Sequence, residues 1–184
     1  MGEHYFTPGP DVPNRPGHVD LLLADLHLRL ETVPAPPATG SLLDLGCGYG
    51  PIALTMARRS PQAIVYGVDV NRRALAVAGR NATTARLDNV KFCLPDEVDP
   101  AIRFAALWSN PPIRIGKAPL HELLGTWLGR LAPGGGAHLV VHRHLGADSL
   151  HRWLTAAGWP AERIASRSGY RVLAVTAAPG RRPA

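Results

Sequence analysis

From Ser41 onward, short apolar runs alternate with longer stretches of amphipathic spacing. Leu42–Leu45 reads as a short buried strand, and Ile52–Arg59 as a helix whose first turn opens at Pro51, a position that suits proline. A second strand is expected over Ile64–Val70, a helix over Arg72–Arg86 and a third strand over Val90–Leu94. Phe104–Trp108 reads as a fourth strand and Leu120–Leu131 as a helix. Pro133-Gly134-Gly135-Gly136 reads as a turn leading into a fifth strand at His138–His142, with a helix over Ser149–Ala157. Ile164–Ser166 and Tyr170–Thr176 flank Arg167-Ser168-Gly169, which reads as a hairpin turn. Strands alternating with helices predict an α/β fold: a mostly parallel sheet with right-handed crossovers and helices on both faces. The final hairpin adds one antiparallel strand at its end. Ligands of such sheets bind at the carboxyl ends of the strands.

The first forty residues break this pattern. Residues 1–18 carry Pro8, Pro10, Pro13 and Pro16 and read as an extended arm. Within Val19–Glu31, Leu26, Leu28 and Leu30 alternate with His27 and Arg29, as in a strand. Pro34-Ala35-Pro36-Pro37 is too proline-dense for a helix or central strand.

Composition narrows the class. At 184 residues and 46% apolar, the chain suits one compact domain. It has no run of about 18 uncharged apolar residues, so no membrane span is expected. Met1–Phe6 lacks a basic stretch before an apolar core, so no secretion signal is expected. Two cysteines are too few for a disulfide scaffold, which points to free thiols in the cytoplasm. Both read as small apolar fillers. The eight histidines show no metal-ligand spacing, so no metal is expected. The net charge of +6 favours anionic partners, nucleic acid above all. Yet 18 of the 20 basic residues are Arg, beside abundant Ala, Gly and Pro, as a GC-rich genome also produces. Charge alone therefore does not decide the partner.

The candidate chemistry starts at Asp44-Leu45-Gly46-Cys47-Gly48-Tyr49-Gly50. A strand runs into a glycine turn and then into a helix start, which brings backbone N–H groups near a ligand. The spacing differs from the G-x-G-x-x-G of dinucleotide sites, and Asp44 would repel a phosphate but attract a cation. S-adenosylmethionine, with an ammonium and a sulfonium and no phosphate, suits that combination. Asp69, expected at the end of the second strand, can accept from both hydroxyls of a ribose, or else cap the next helix. Val70 and Asn71 accompany it. Asp96, after Pro95, can accept from the adenine amino group or stand as a solvated loop carboxylate.

The second motif is Ser109-Asn110-Pro111-Pro112-Ile113, after the fourth strand. Its two prolines remove two N–H donors and leave nearby carbonyls free to accept. An exocyclic amino group bonded to the Asn110 side chain and the Pro111 carbonyl would be oriented for in-line attack on an electrophilic methyl. The alternative is a tight turn at a strand end. Arg114 and Lys117 follow and can contact phosphates, with Arg143, His142 and His144 extending that basic rim from the fifth strand.

On these residues the chain resembles the class I S-adenosylmethionine-dependent methyltransferases, and within them the small-domain family of 16S ribosomal RNA guanine-N2 methyltransferases. The carrying segments are residues 44–51, Asp69-Val70-Asn71 and residues 109–117, with His4-Tyr5-Phe6 and Pro13-Asn14-Arg15-Pro16 similar to that family's opening. The resemblance covers most of residues 3–178. It implies a seven-stranded Rossmann-like methyltransferase sheet over 41–178, an arm and linker over 1–40 and a tail over 179–184. It implies S-adenosyl-L-methionine held by Asp44, Gly46, Cys47, Gly48, Gly50, Asp69, Val70, Asn71, Asp96 and Asn110. It also implies catalysis at Asn110, Pro111 and Pro112, and substrate contact at Ile113, Arg114 and Lys117. The expected partner is ribosomal RNA or the small ribosomal subunit, met by a monomer. The chain departs from the pattern at Ile113, where many such enzymes carry an aromatic residue that stacks on the base. It departs again before the first core strand, where the segment is short. Methylation of a protein glutamine or a small-molecule amine, and a cofactor-poor RNA-binding domain, remain alternative readings.

Overall fold

The computed structural model describes residues 33–167 and 169–177. The arm over 1–18, the strand expected over 19–31 and the tail over 179–184 lie outside them. Seven strands form one sheet in the order β3-β2-β1-β4-β5-β7-β6. They are β1 (Thr39–Leu45), β2 (Gln62–Val68), β3 (Val90–Cys93), β4 (Phe104–Ser109), β5 (Leu131–His142), β6 (Ala161–Arg167) and β7 (Tyr170–Thr176). Pairings among β1 to β5 are all parallel. β7 runs antiparallel to both β5 and β6, so the antiparallel strand sits one place in from the edge.

Four helices join these strands: α1 (Pro51–Arg59), α2 (Arg72–Ala85), α3 (Lys117–Leu128) and α4 (Ala147–Ala156). None is long and apolar enough to cross a membrane. One face of the sheet buries Leu43, Leu107 and Leu139 against Leu124 of α3 and Leu150 and Leu154 of α4. The other buries Leu42, Val65 and Trp108 against Ile52, Ala53 and Met56 of α1. Leu42 and Leu43 are adjacent and both fully buried, as expected of a central strand covered on both faces.

Several boundaries differ from the sequence reading, and three of them matter for the site or the core. β2 stops at Val68, so Asp69 and Val70 stand beyond it. α3 starts at Lys117, because Pro119 is tolerated in a first turn whose N–H groups lack helical partners anyway. It ends at Leu128, and Leu131 belongs to β5. The Pro133–Gly136 run is not a turn before the fifth strand. It lies inside β5 as an irregularity, where Leu131 pairs with Phe104 but Gly136 already pairs with Ala106. A Cβ at Gly135 would come within 2.9 Å of the carbonyl oxygens of Ala132 and Phe104. The glycines there permit a close backbone approach within the strand.

Candidate active site

β1 is followed by a turn that returns into α1. Gly46, Gly48 and Gly50 have φ of 71°, 55° and 93°, the left-handed region where glycine carries no steric penalty. The turn is bound from several sides. The amides of Gly46 and Cys47 both donate to the Val68 carbonyl, at 2.8 and 3.0 Å, and the Gly50 amide donates to the Cys47 carbonyl at 2.9 Å. The Gly48 amide donates to Asp69 Oδ2 at 2.8 Å. These four amides are therefore engaged within the protein. This corrects the expectation that the turn offers its N–H groups to a ligand.

What the turn offers instead is acceptors. Asp44 is fully buried, and its Oδ2 accepts from the Ala53 amide at 2.8 Å. Its Oδ1 is buried with no hydrogen-bond partner. Burial pushes its carboxyl up to about 8, against the Ala53 hydrogen bond and with help from the charge of Asp69. Asp69 also accepts the Asn71 amide at Oδ1, at 2.9 Å. Each of its oxygens thus keeps acceptor capacity after one backbone bond. The helix cap is not Asp69 but Asn71, whose Oδ1 accepts from the amides of Arg73 and Ala74. Val70 is 80% exposed beside it. Asp96 stands exposed on a short 3-10 turn, Pro95–Glu97, after β3.

Asn110 is exposed at the end of β4, next to β1 in the sheet. The buried Ser109 donates its hydroxyl to the Leu45 carbonyl at 2.6 Å, tying the two strand ends together. A Cβ placed on Gly46 would lie 3.7 Å from Pro112 Cδ, so the proline corner stands one side chain's reach from the glycine turn. The Pro111 carbonyl is not free, contrary to expectation. It accepts from the Ile113 amide at 2.8 Å and retains one lone pair. Ile113 is half-buried and packs on the core beneath α3 and α4, whereas Ile115 is 41% exposed. Arg114 and Lys117 are both exposed.

The residues that follow β3, β2, β1 and β4 thus lie along one continuous stretch of the sheet's carboxyl edge. Cys47 lies within it but is buried, and burial, reinforced by the charges of Asp44 and Asp69, pushes its thiol upward. It is a neutral filler with no thiolate character. Among the described residues no group of three or more His, Cys, Asp or Glu side chains gathers as a metal site.

Three supports escaped the sequence reading. The buried Asn81 of α2 donates to the Tyr49 carbonyl at 2.9 Å and so holds the glycine turn from behind. Phe92 of β3 packs where side chains on Gly50 and Gly67 would be, at 2.9 and 2.4 Å from their Cβ positions. Ser109 is the third. A polar residue on the apolar face of a helix was the available signal for Asn81; the other two carry none.

A doubly wound sheet with an acidic glycine turn after β1 and an Asn-Pro-Pro corner after β4 defines a methyltransferase of the Rossmann-like class. Residues 21–174 match the family described as methyltransferase small domain, and the chain belongs to that family. The chain is 32% identical over 149 residues to the protein YbxB of Bacillus subtilis, covering 79% of this chain and 74% of that one. It is 30% identical over 122 residues to ribosomal RNA small subunit methyltransferase C of Shewanella halifaxensis, covering 64% of this chain but only 35% of that enzyme. Among solved structures, the Thermus thermophilus 16S rRNA N2-guanine methyltransferase RsmC, in complex with AdoMet and guanosine, superposes with a TM-score of 0.64 at 25% identity. That match covers 93% of this chain and 44% of RsmC. The chain therefore spans less than half the length of both ribosomal RNA enzymes.

Proposed function

We propose that this protein transfers a methyl group from S-adenosyl-L-methionine to an exocyclic amino group of ribosomal RNA, guanine N2 in particular. The observation that carries the reading is the proximity of two motifs of complementary chemistry, a turn presenting buried acceptors and a corner presenting carbonyl acceptors, on strand ends tied by the Ser109–Leu45 hydrogen bond. The orphaned Oδ1 of Asp44 fits the ammonium of the methionine part, directly or through a water. The Asp69 carboxylate, held by the Gly48 and Asn71 amides, fits a ribose diol. Val70 offers an apolar contact for the adenine and Asp96 an acceptor for its amino group. Gly48 leaves space above the turn, since a Cβ there would meet nothing within 4 Å.

S-adenosyl-L-methionine, when bound, supplies an electrophilic methyl on sulfur. The chain's own contribution is orientation. The Asn110 side-chain carbonyl and the remaining lone pair of the Pro111 carbonyl accept the two N–H bonds of the amino group. The nitrogen lone pair then points along one direction, and the corner's place beside the Gly46 turn suits a direction towards the cofactor. Arg114 and Lys117 meet the flanking phosphates. The same family membership and the likeness to the ribosomal RNA enzymes support RNA as the acceptor.

The test is transfer of labelled methyl to unmodified ribosomal RNA, free and within purified subunits. Label is expected in guanosine, and Asn110→Ala is expected to lower kcat by roughly 100-fold or more with cofactor affinity kept. Undiminished labelling by Asn110→Ala would remove that residue from the mechanism. Label that resists ribonuclease would place the acceptor on protein instead.

A further inference from the structure

The corner that follows β4 holds an amino group by its hydrogens but offers no ring to the face of a base. The residue after the prolines is Ile113, and it packs on the core. An unpaired base held only along one edge is free to tilt, so a stacking surface must come from elsewhere. β5 supplies the neighbouring wall. Its last pairing with β4 is Leu139 opposite Ser109, yet it continues to His142. Three further residues at about 3.3 Å each raise it roughly 10 Å above the level of Ser109. β7 pairs with it to the top, with Tyr170 opposite His142.

A short 3-10 turn, Arg143–Leu145, caps this wall and is held by hydrogen bonds from two of its amides. The Arg143 amide donates to the Gly169 carbonyl at 2.8 Å, so the β6–β7 hairpin grips the turn. His142 Nδ1 accepts from the His144 amide at 3.3 Å. The His142 ring stands edge-on to Tyr170, with centroids 5.0 Å apart. Above them, Arg143 Nε donates to His144 Nε2 at 2.9 Å, so the guanidinium and the imidazole are joined to each other. Both are exposed, next to Leu145 at 44% exposure. Guanidinium and imidazole planes are surfaces on which unpaired RNA bases stack.

We propose that the joined Arg143 and His144 side chains form the stacking surface for the target base, taking the part that no residue of the Asn-Pro-Pro corner can play. His144 is the ring on which the base lies, and the hydrogen bond from Arg143 holds that ring in place. This rests on the RNA reading above. The acceptor nucleotide must then be unpaired or extruded, because a base within a duplex shows no free face.

The experiment measures kcat and KM on unmodified ribosomal RNA, S-adenosylhomocysteine affinity and the melting midpoint for the wild type, His144→Ala, His144→Leu and His144→Phe. His144→Ala is expected to lower kcat/KM about tenfold or more, with cofactor affinity and melting midpoint unchanged. His144→Phe is expected to restore it, and His144→Leu, which fills space without a ring, is not. Unchanged kcat/KM in His144→Ala, equal rescue by Leu, or a loss that follows the melting midpoint would each overturn the stacking role alone. No RNA labelling by the wild type would defeat the RNA reading, and this inference with it.

Discussion

Replacing Asp44 with Asn separates what the buried carboxylate does for folding from what it does for binding. Burial pushes its carboxyl up to about 8 in the folded protein, against 3.8 for an ordinary aspartate. The folded state therefore holds a proton that the unfolded state has lost across that window, and stability falls as pH rises from about 4 to about 8. The slope is about 1.4 kcal/mol per pH unit. Between pH 5 and pH 8 this one group removes about 4 kcal/mol, a large share of the roughly 5–15 kcal/mol that holds a domain folded. Asn keeps an acceptor for the Ala53 amide and does not titrate. It leaves an orphaned N–H where the protonated acid leaves an orphaned O–H, so near pH 5 the two proteins should be alike. Urea unfolding of the ligand-free protein at pH 5 and pH 9 measures the slope. The wild type should lose about 4 kcal/mol and Asp44→Asn about 1 kcal/mol or less from this source. Calorimetry at pH 9, where the Asp44 carboxyl is ionised, should show the reverse order for function, with S-adenosylhomocysteine binding weakened roughly tenfold or more by loss of the charge facing its amino group. Equal pH slopes would refute the titration. Equal ligand affinity would refute the placement of the ammonium at Oδ1.

The supports of the glycine turn give two further tests. A Cβ at Gly67 would stand 2.4 Å from Phe92 Cδ1, so Gly67→Ala should cost about 1–3 kcal/mol in urea unfolding; Phe92→Leu in the same chain should recover part of it, and simple additivity would refute the clash. Asn81→Ala removes the buried donor to the Tyr49 carbonyl and should cost about 1–3 kcal/mol while weakening S-adenosylhomocysteine binding; unchanged binding by calorimetry would show that the turn keeps its shape without that bond.

The sheet and its site edge were legible because their signals are local. Leu42–Leu45, Pro51 and the Asp-x-Gly-x-Gly-x-Gly spacing identify a strand, a turn and a helix within a dozen residues, and all three are where the pattern puts them. Asn110 follows the same logic. What could not be read was pairing across the chain. Nothing local in Pro133–Gly136 says whether glycines make a turn or a strand irregularity; that depends on β4 carbonyls about thirty residues upstream, which leave no room for a Cβ at Gly135. Likewise Asp69 was as good a cap as Asn71 on residue type alone. The Gly48 amide, 21 positions away, takes up its Oδ2, and the cap falls to Asn71. Ile113 follows the prolines where a substrate contact is expected, and in the fold it is half-buried and packs part of its aliphatic area against the core.

The hydrogen bonds of the turn also explain why a Rossmann-like sheet with three glycines serves a cation here and a pyrophosphate elsewhere. A phosphate site needs amides aimed outward at a helix N-terminus. In this chain the amides of Gly46, Cys47, Gly48 and Gly50 are all turned inward, to Val68, to Asp69 and to Cys47 itself. The first helical amide region is occupied too, because Ala53 donates to Asp44. The groups left with capacity are carboxyl oxygens on Asp44 and Asp69, acceptors that suit ammonium and hydroxyl groups better than a phosphate. The glycines therefore do not create the ligand preference. They let the backbone fold back tightly enough to spend its own donors, and two acidic residues, one at a strand end and one just beyond the next, decide what the remaining surface can hold.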